Sequence, residues 1–320
     1  MLSRAYSNEF FSEDVSMFKR SLLATVSLAF AVALAAAPNT PPSQPSLSAA
    51  EIADKNVAAR GGLQAWRAVQ TMSMAGKLGA GGNQRSTLRV PSPVPGKEIS
   101  RNTLPTRPTQ EVQLPFVMDL KRTRKTRLEL QFHGQTAIQV YDGTNGWKLR
   151  PYLNRRVVEP FTEEETKIAS LQQDLDGPLV DYAAKGTKIE LAGTEKVEDR
   201  DTYKLKLTMK SGQAIHIWID AQTFLETKIE GQPRRLDGIY HPVEVYYRDY
   251  RPVSGLHVPF MLETKVLPVA QTVKGMRQTD VPVEKIVVEK VEVNPKLDES
   301  LFTKPQISAA ANEPALPKTK

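Results

Sequence analysis

Between residues 126 and 152 the chain alternates apolar and polar positions, a pattern that extended strands satisfy and a helix does not. Leu128, Leu130 and Phe132 alternate with Arg127, Glu129 and Gln131, which gives that segment one greasy face and one wet face. Gly134 breaks the run, and Ile138 and Val140 resume it with period two. Asp142-Gly143-Thr144-Asn145-Gly146 then supplies residues that tolerate positive φ, as a hairpin connection requires. Trp147 and Leu149 continue beyond the turn. A meander of this kind must cover its apolar face with a second sheet, with helices or with a guest molecule.

The second half repeats the pattern. Tyr203, Leu205, Leu207 and Met209 alternate with Lys204, Lys206, Thr208 and Lys210, Ser211-Gly212 turns the chain, and Ile215, Ile217 and Ile219 alternate with His216 and Trp218. Further strands are expected at 224–230, 243–250, 257–266 and 283–293. The spacing predicts one antiparallel sheet of roughly eight to eleven strands, wide enough that it must curl into a barrel or half-barrel.

Helical signals are few and short. Ser48 with Glu51 forms a capping box, opening a helix that carries Ile52 and Ala59 and ends at Gly61-Gly62, with Gly61 left-handed. Leu63, Trp66 and Val69 form one face of a second helix over 63–69. Thr162 with Glu165 is another capping box, followed by the stripe Ile168, Leu171 and Leu175. Asp176-Gly177-Pro178 interrupts it, and a further short helix is expected over 179–184, ended by Gly186. These elements suit a cap on the concave side of the sheet, which makes the fold class mainly β (α+β): a curved antiparallel half-barrel with short amphipathic helices. Gly79 to Gly82 reads as a hairpin turn and lacks the G-x-G-x-x-G spacing of a phosphate loop. Residues 90–115 hold six prolines and read as a long irregular excursion.

The N-terminal end reads as a targeting signal. Residues 21–37 are uncharged, follow Phe18-Lys19-Arg20 and finish in small residues, as a secretory signal peptide does, with cleavage after Ala35. Glu9, Glu13 and Asp14 do not suit a positive leader, so translation is expected to begin at Met17. Residues 36–47 are Pro/Ser/Thr-rich and read as a disordered leash, 48–305 as the folded domain and 306–320 as a disordered tail. The chain has no cysteine, so it carries neither a disulfide framework nor the acylated cysteine of a lipoprotein. A net charge of +7 favours anionic surfaces modestly and does not mark a nucleic-acid binder. Lys121, Arg122, Arg124, Lys125 and Arg127 place five cations in seven residues. Such a run reads either as a guarded strand edge or, at Arg122, Arg124 and Lys125, as a contact with anionic lipid headgroups.

Catalytic signatures are missing from the sequence. The four histidines, His133, His216, His241 and His257, have no metal-site spacing, although His241 and His257 could meet across neighbouring strands. No G-x-S-x-G elbow is present, and the acids Glu163, Glu164 and Glu165 complement a helix dipole. The expectation is a protein that is not an enzyme and needs no cofactor or metal.

The order of these elements resembles the outer-membrane lipoprotein-sorting family (LolA/LolB-like). The likeness rests on the signal peptide, amphipathic helix and strands, on the Asp142-Gly143-x-x-x-Trp147 turn followed by Pro151-Tyr152, and on the helical insertion and second run of strands. Residues 203–220, Val291-Glu292-Val293-Asn294-Pro295 and Leu301-Phe302 are similar as well, and Arg60-Gly61-Gly62-Leu63-x-Ala65-Trp66 looks like a divergent periplasmic branch. The resemblance implies an open half-barrel with helices plugging its concave side and a cavity for acyl chains. The function expected is a periplasmic carrier or sensor of lipid or acylated lipoprotein, with peripheral membrane contact. Leu128, Leu130, Phe132, Ile138, Val140, Ile215 and Ile217 are the expected lining. The alternatives are an envelope interaction module that binds a protein partner through its sheet edges, and a hydrolase built from dispersed residues such as His216.

Overall fold

The computed structural model describes residues 47–81, 111–151, 155–170, 174–236, 239–269 and 281–306. The proposed signal segment, nearly all of the leash, residues 82–110 with most of the proline-rich stretch 90–115, and the tail after Gln306 lie outside them.

Two helices lead the fold, α1 (Ala49–Ala59) and α2 (Leu63–Ala68). At the start of α1 the Glu51 amide donates to Ser48 Oγ at 3.2 Å while Glu51 accepts from the Ser48 amide at 2.8 Å, so both orphan donors are satisfied. The helix ends in a Schellman turn: Gly62 N donates to the Val57 carbonyl and Gly61 N to that of Ala58. Gly61 has φ +117°, and a Cβ there would lie 2.4 Å from the Gly255 carbonyl oxygen, so both conformation and space demand glycine.

Six strands follow in a meander: β1 (Thr71–Gly81), β2 (Glu111–Lys121), β3 (Lys125–Phe132), β4 (Gln135–Tyr141), β5 (Gly146–Arg150) and β6 (Arg155–Pro160). After α3 (Glu163–Ser170) come β7 (Lys188–Val197), β8 (Arg200–Thr208), β9 (Ala214–Asp220), β10 (Glu226–Glu230), the small pair β11 (Arg234–Leu236) and β12 (Ile239–His241), then β13 (Val243–Val253), β14 (Leu256–Val266) and β15 (Glu284–Val293). Apart from β11 and β12, which form their own ribbon, the strands make one 13-stranded sheet in the order β6, β5, β4, β3, β2, β1, β15, β14, β13, β10, β9, β8, β7. The first meander and the second meet where β1 pairs with β15. The sheet is antiparallel, curved and open: β6 and β7 end it without pairing with each other.

Several expectations are corrected. The count exceeds eleven because β2, β6 and β7 were not read as strands; Gly79 to Gly81 run straight on in β1 instead of turning, and residues 111–115, read as irregular, open β2. Pro115 is tolerated there because pairing of β2 with β3 begins only at Phe116, so the missing N–H falls where no β3 residue pairs. Residues 179–184 form turns instead of a helix, since Gly177 and Asp181 both adopt positive φ. His241 sits in β12, while His257 in β14 pairs with Pro252, so the two are not cross-strand neighbours.

One face of the sheet carries the core. Met72 lies opposite Leu120, Met118 opposite Leu128, Ile286 opposite Leu262 and Ile217 opposite Ile229, and all are buried in one cluster. The other face is charged around aromatic rings: Lys228 Nζ lies 3.9 Å from the centre of Trp218 and pairs with Glu244 at 2.7 Å.

Candidate functional site

The apolar face is covered by a cap drawn from separate parts of the chain. Ile52, Ala53 and Val57 of α1, Trp66 of α2, and Leu175, Leu179 and Val180 of the turn segment 174–186 join the sheet's core cluster. Each fully covered Leu, Ile or Val contributes about 1.5–3 kcal/mol, so the cap's attachment is chiefly hydrophobic.

Charged side chains pin this cap from beneath. Asp176, 2% exposed, is the hub: its carboxylate accepts from Arg122 Nη1 at 2.9 Å and from Lys185, and its carbonyl accepts from Arg60 Nη1 at 2.9 Å. Arg122 also donates to the carbonyls of Val69 at 2.7 Å and Trp66 at 2.8 Å, which satisfies the exposed C-terminal end of α2. Arg60 lies over the Trp66 ring at 4.4 Å and pairs with Glu226 at 3.3 Å, with side chains only 9% and 6% exposed. The Tyr250 hydroxyl donates to Glu226 Oε2 at 2.9 Å. Burial, then the Glu226 charge, pushes that phenol well above its usual range, so it remains a donor. Asn56, fully buried one turn before Arg60, donates to the Phe224 carbonyl at 2.8 Å. Asn56 Oδ1 and Arg60 Nε are buried with no hydrogen-bond partner among the described residues.

A cleft of about 510 Å³ opens along the seam between cap elements. Asp54, Val57 and Ala58 of α1, Gly62 and Leu63 at the start of α2, and Leu179 with residues 181–184 line it. Val57 and Leu179 are buried and form its apolar floor. At the rim Arg67 donates to both oxygens of Asp181, at 2.6 and 2.9 Å, and this hydrogen bonding holds the carboxyl below its usual range.

The residues singled out in the sequence divide between the two faces. Leu128, Leu130, Ile215 and Ile217 are buried in the core beneath the cap. Phe132 shares their face but is only half-buried, at the hairpin, with its ring against His133 at 4.1 Å. Ile138 and Val140 belong to the opposite face. The two-residue turn His133-Gly134, with φ of 50° and 72°, pairs Phe132 with Gln135 and so inverts parity, leaving Ala137 and Gln139 opposite Leu130 and Leu128. Val140 instead lies opposite Arg127, whose guanidinium donates to the Leu301 carbonyl of the 3₁₀ turn Glu299–Phe302. That turn packs on β3 and β4 from outside, where Val140 and Phe302 are both buried.

The basic run is similarly divided. Arg122 is tied into the cap as described. Lys121 and Lys125 both pair with Glu299, and exposed Arg124 donates to the Ser170 carbonyl at 2.8 Å. His216 Nδ1 lies 2.9 Å from Glu230, and no cluster of three His, Asp or Glu suited to a metal occurs among the described residues. Sequence reasoning missed Asp176, Glu226 and Asn56 because the contacts that tie them into the cap are made with residues remote in the chain: Asp176 with Arg122 and Arg60, Glu226 with Arg60, and Asn56 with the Phe224 carbonyl. The one available signal was Arg60-Gly61-Gly62-Leu63-x-Ala65-Trp66, whose Arg and Trp turn out to stack.

No family model matches the chain, and no curated protein does. Among solved structures, it is similar to a LolA superfamily protein from Nitrosomonas europaea, at 14% identity over 81% of this chain and 99% of that one, with a TM-score of 0.48. It is also similar to a domain described as an outer membrane lipoprotein-sorting protein from Vibrio parahaemolyticus, at 11% identity over 80% and 96% of the two chains and a TM-score of 0.47. A third is a DUF1329 family protein from Desulfovibrio piger, at 12% identity over 79% and 95% and a TM-score of 0.46. The chain's own architecture, an open, curved antiparallel sheet with a few short helices, is the half-barrel expected from the sequence.

Proposed function

We propose that this chain is a periplasmic, non-enzymatic carrier or sensor that takes up lipid or lipoprotein acyl chains between its cap and the apolar face of its sheet. The supporting observation is the apolar seam cleft, whose floor residues Val57 and Leu179 belong to the same core as the sheet face below. Leu128, Leu130, Phe132, Ile215 and Ile217 would supply the wall exposed when the cap shifts, and exposed Arg124 a headgroup contact. Burial of ten or more methylenes at ~0.8 kcal/mol each gives on the order of 8 kcal/mol before the costs of association, enough for reversible carriage. Native mass spectrometry of protein isolated from membrane-containing extracts tests the reading. Co-purifying acyl species that a fluorescent fatty acid displaces support it; a chain free of acyl mass that leaves the probe unbound refutes it.

A second reading, an envelope interaction module, draws on the unpaired edges of β6 and β7, where Val157 is 64% and Leu191 37% exposed. Stoichiometric capture of a protein partner without lipid, lost on Val157→Lys, would favour it.

A further inference from the structure

Resting on the acyl-chain reading, we infer that the seam cleft accommodates one acyl chain at a time and prefers a single-chain amphiphile with an ammonium head to a fatty-acid anion. Volume sets the number of chains. A methylene packed at interior density occupies about 27 Å³, so a sixteen-carbon chain needs roughly 430 Å³ and three such chains about 1,300 Å³. The cleft offers about 510 Å³.

Charge sets the head. Asp54 and Asp181 are the charged lining residues, and no Lys or Arg lines the cleft. Asp181 is neutralised by its two-point contact with Arg67. Asp54 is exposed and has no hydrogen bond or ion pair among the described residues. The adjacent Lys55 turns away to the Phe224 ring, 5.0 Å from its centre, and so leaves the Asp54 charge uncompensated. Asp54, Val57 and Ala58 stand at i, i+3 and i+4 on one stripe of α1. The free carboxylate therefore sits beside the apolar groove, where the head of a chain lying along Val57 and Leu63 meets it. A carboxylate or phosphate monoester head placed there is repelled, and an ammonium head is attracted.

Titration of the intact mature chain with hexadecyltrimethylammonium, palmitate and dipalmitoylphosphatidylethanolamine, each below its aggregation concentration, tests this. Calorimetry gives affinity and native mass spectrometry gives stoichiometry. The expected result is one ammonium amphiphile per chain, bound about three- to tenfold more tightly than palmitate, with Asp54→Asn reducing the ammonium affinity about two- to fivefold. Ala58→Trp, which fills the groove from an exposed position, is expected to abolish binding with the circular dichroism spectrum unchanged. Palmitate binding as tightly as the ammonium compound, or an Asp54→Asn variant without effect, overturns the head assignment and leaves the acyl-chain reading standing. Two or more chains bound per protein overturns the single-chain assignment. Absence of binding by all three ligands overturns the acyl-chain reading itself.

Discussion

Replacing Arg60 by Met tests whether the buried pins hold the cap. Met keeps much of the aliphatic stem that covers Trp66 but removes the guanidinium that pairs with Glu226 and donates to the Asp176 carbonyl. With both side chains less than a tenth exposed, Glu226 would be left as a buried charge with the Tyr250 hydroxyl as its remaining side-chain hydrogen bond. Removing one partner of such a pair costs about 3–5 kcal/mol, most of it the penalty of stranding the other charge. For a domain of this size each kcal/mol lowers Tm by roughly 2–4 °C, so the variant should melt about 10 °C below the parent. Urea denaturation followed by tryptophan fluorescence gives the free energy directly. Adding Glu226→Gln, which removes the stranded charge but keeps an acceptor for Tyr250, should recover at least about 2 kcal/mol. A loss below about 1 kcal/mol for Arg60→Met, or a double variant no more stable than the two single changes predict by addition, would refute the argument.

Three further outcomes follow from particular contacts. Burial works against the Glu165 charge, but hydrogen bonds from Lys148 and the Thr162 amide outweigh it and hold the carboxyl below its usual range. The stability it contributes is therefore complete above about pH 5 and lost as pH falls through the depressed pKa, and Glu165→Gln should flatten the fall in Tm between about pH 5 and 3. Gly61→Ala forces a Cβ to 2.4 Å from the Gly255 carbonyl at φ +117°, and should cost at least about 2 kcal/mol in chemical denaturation. Phe302→Ala, at a side chain 1% exposed on the outer face, should cost about 3–5 kcal/mol while leaving acyl-probe affinity unchanged, because the cap lies on the other side of the sheet.

The architecture was largely legible because its determinants are local. Period-two alternation and turn spacing located β3, β4, β8, β9, β13, β14 and β15, while the long strands β2 and β7 went unread, and both capping boxes, Ser48 with Glu51 and Thr162 with Glu165, form as read. The misreadings have local causes as well. Proline was taken as a strand breaker at Pro115, where only one side of the strand needed to pair. The apolar residues of 179–184 suggested a helix, but Asp181 adopts a left-handed conformation that ends any helix there.

The site was less legible because its membership depends on which face a residue takes and on what crosses the chain to meet it. Period two fixes which residues of one strand share a face, yet the face is carried into the next strand only through the turn. A two-residue connection pairs i with i+3 and exchanges odd for even, whereas a three-residue connection such as Arg122 to Arg124 pairs Lys121 with Lys125 and preserves parity. Counting straight through His133-Gly134 therefore moved Ile138 and Val140 to the wrong wall, although each strand had been recognised. The cap's pins lie beyond any such counting. Asp176 joins Arg122, 54 residues before it, to Arg60, 116 residues before it, and nothing in the spacing of these residues announces the encounter. What the sequence does carry is the imbalance that demands it: charged residues placed among apolar neighbours must find partners within the fold, and here they find them where the cap meets the sheet.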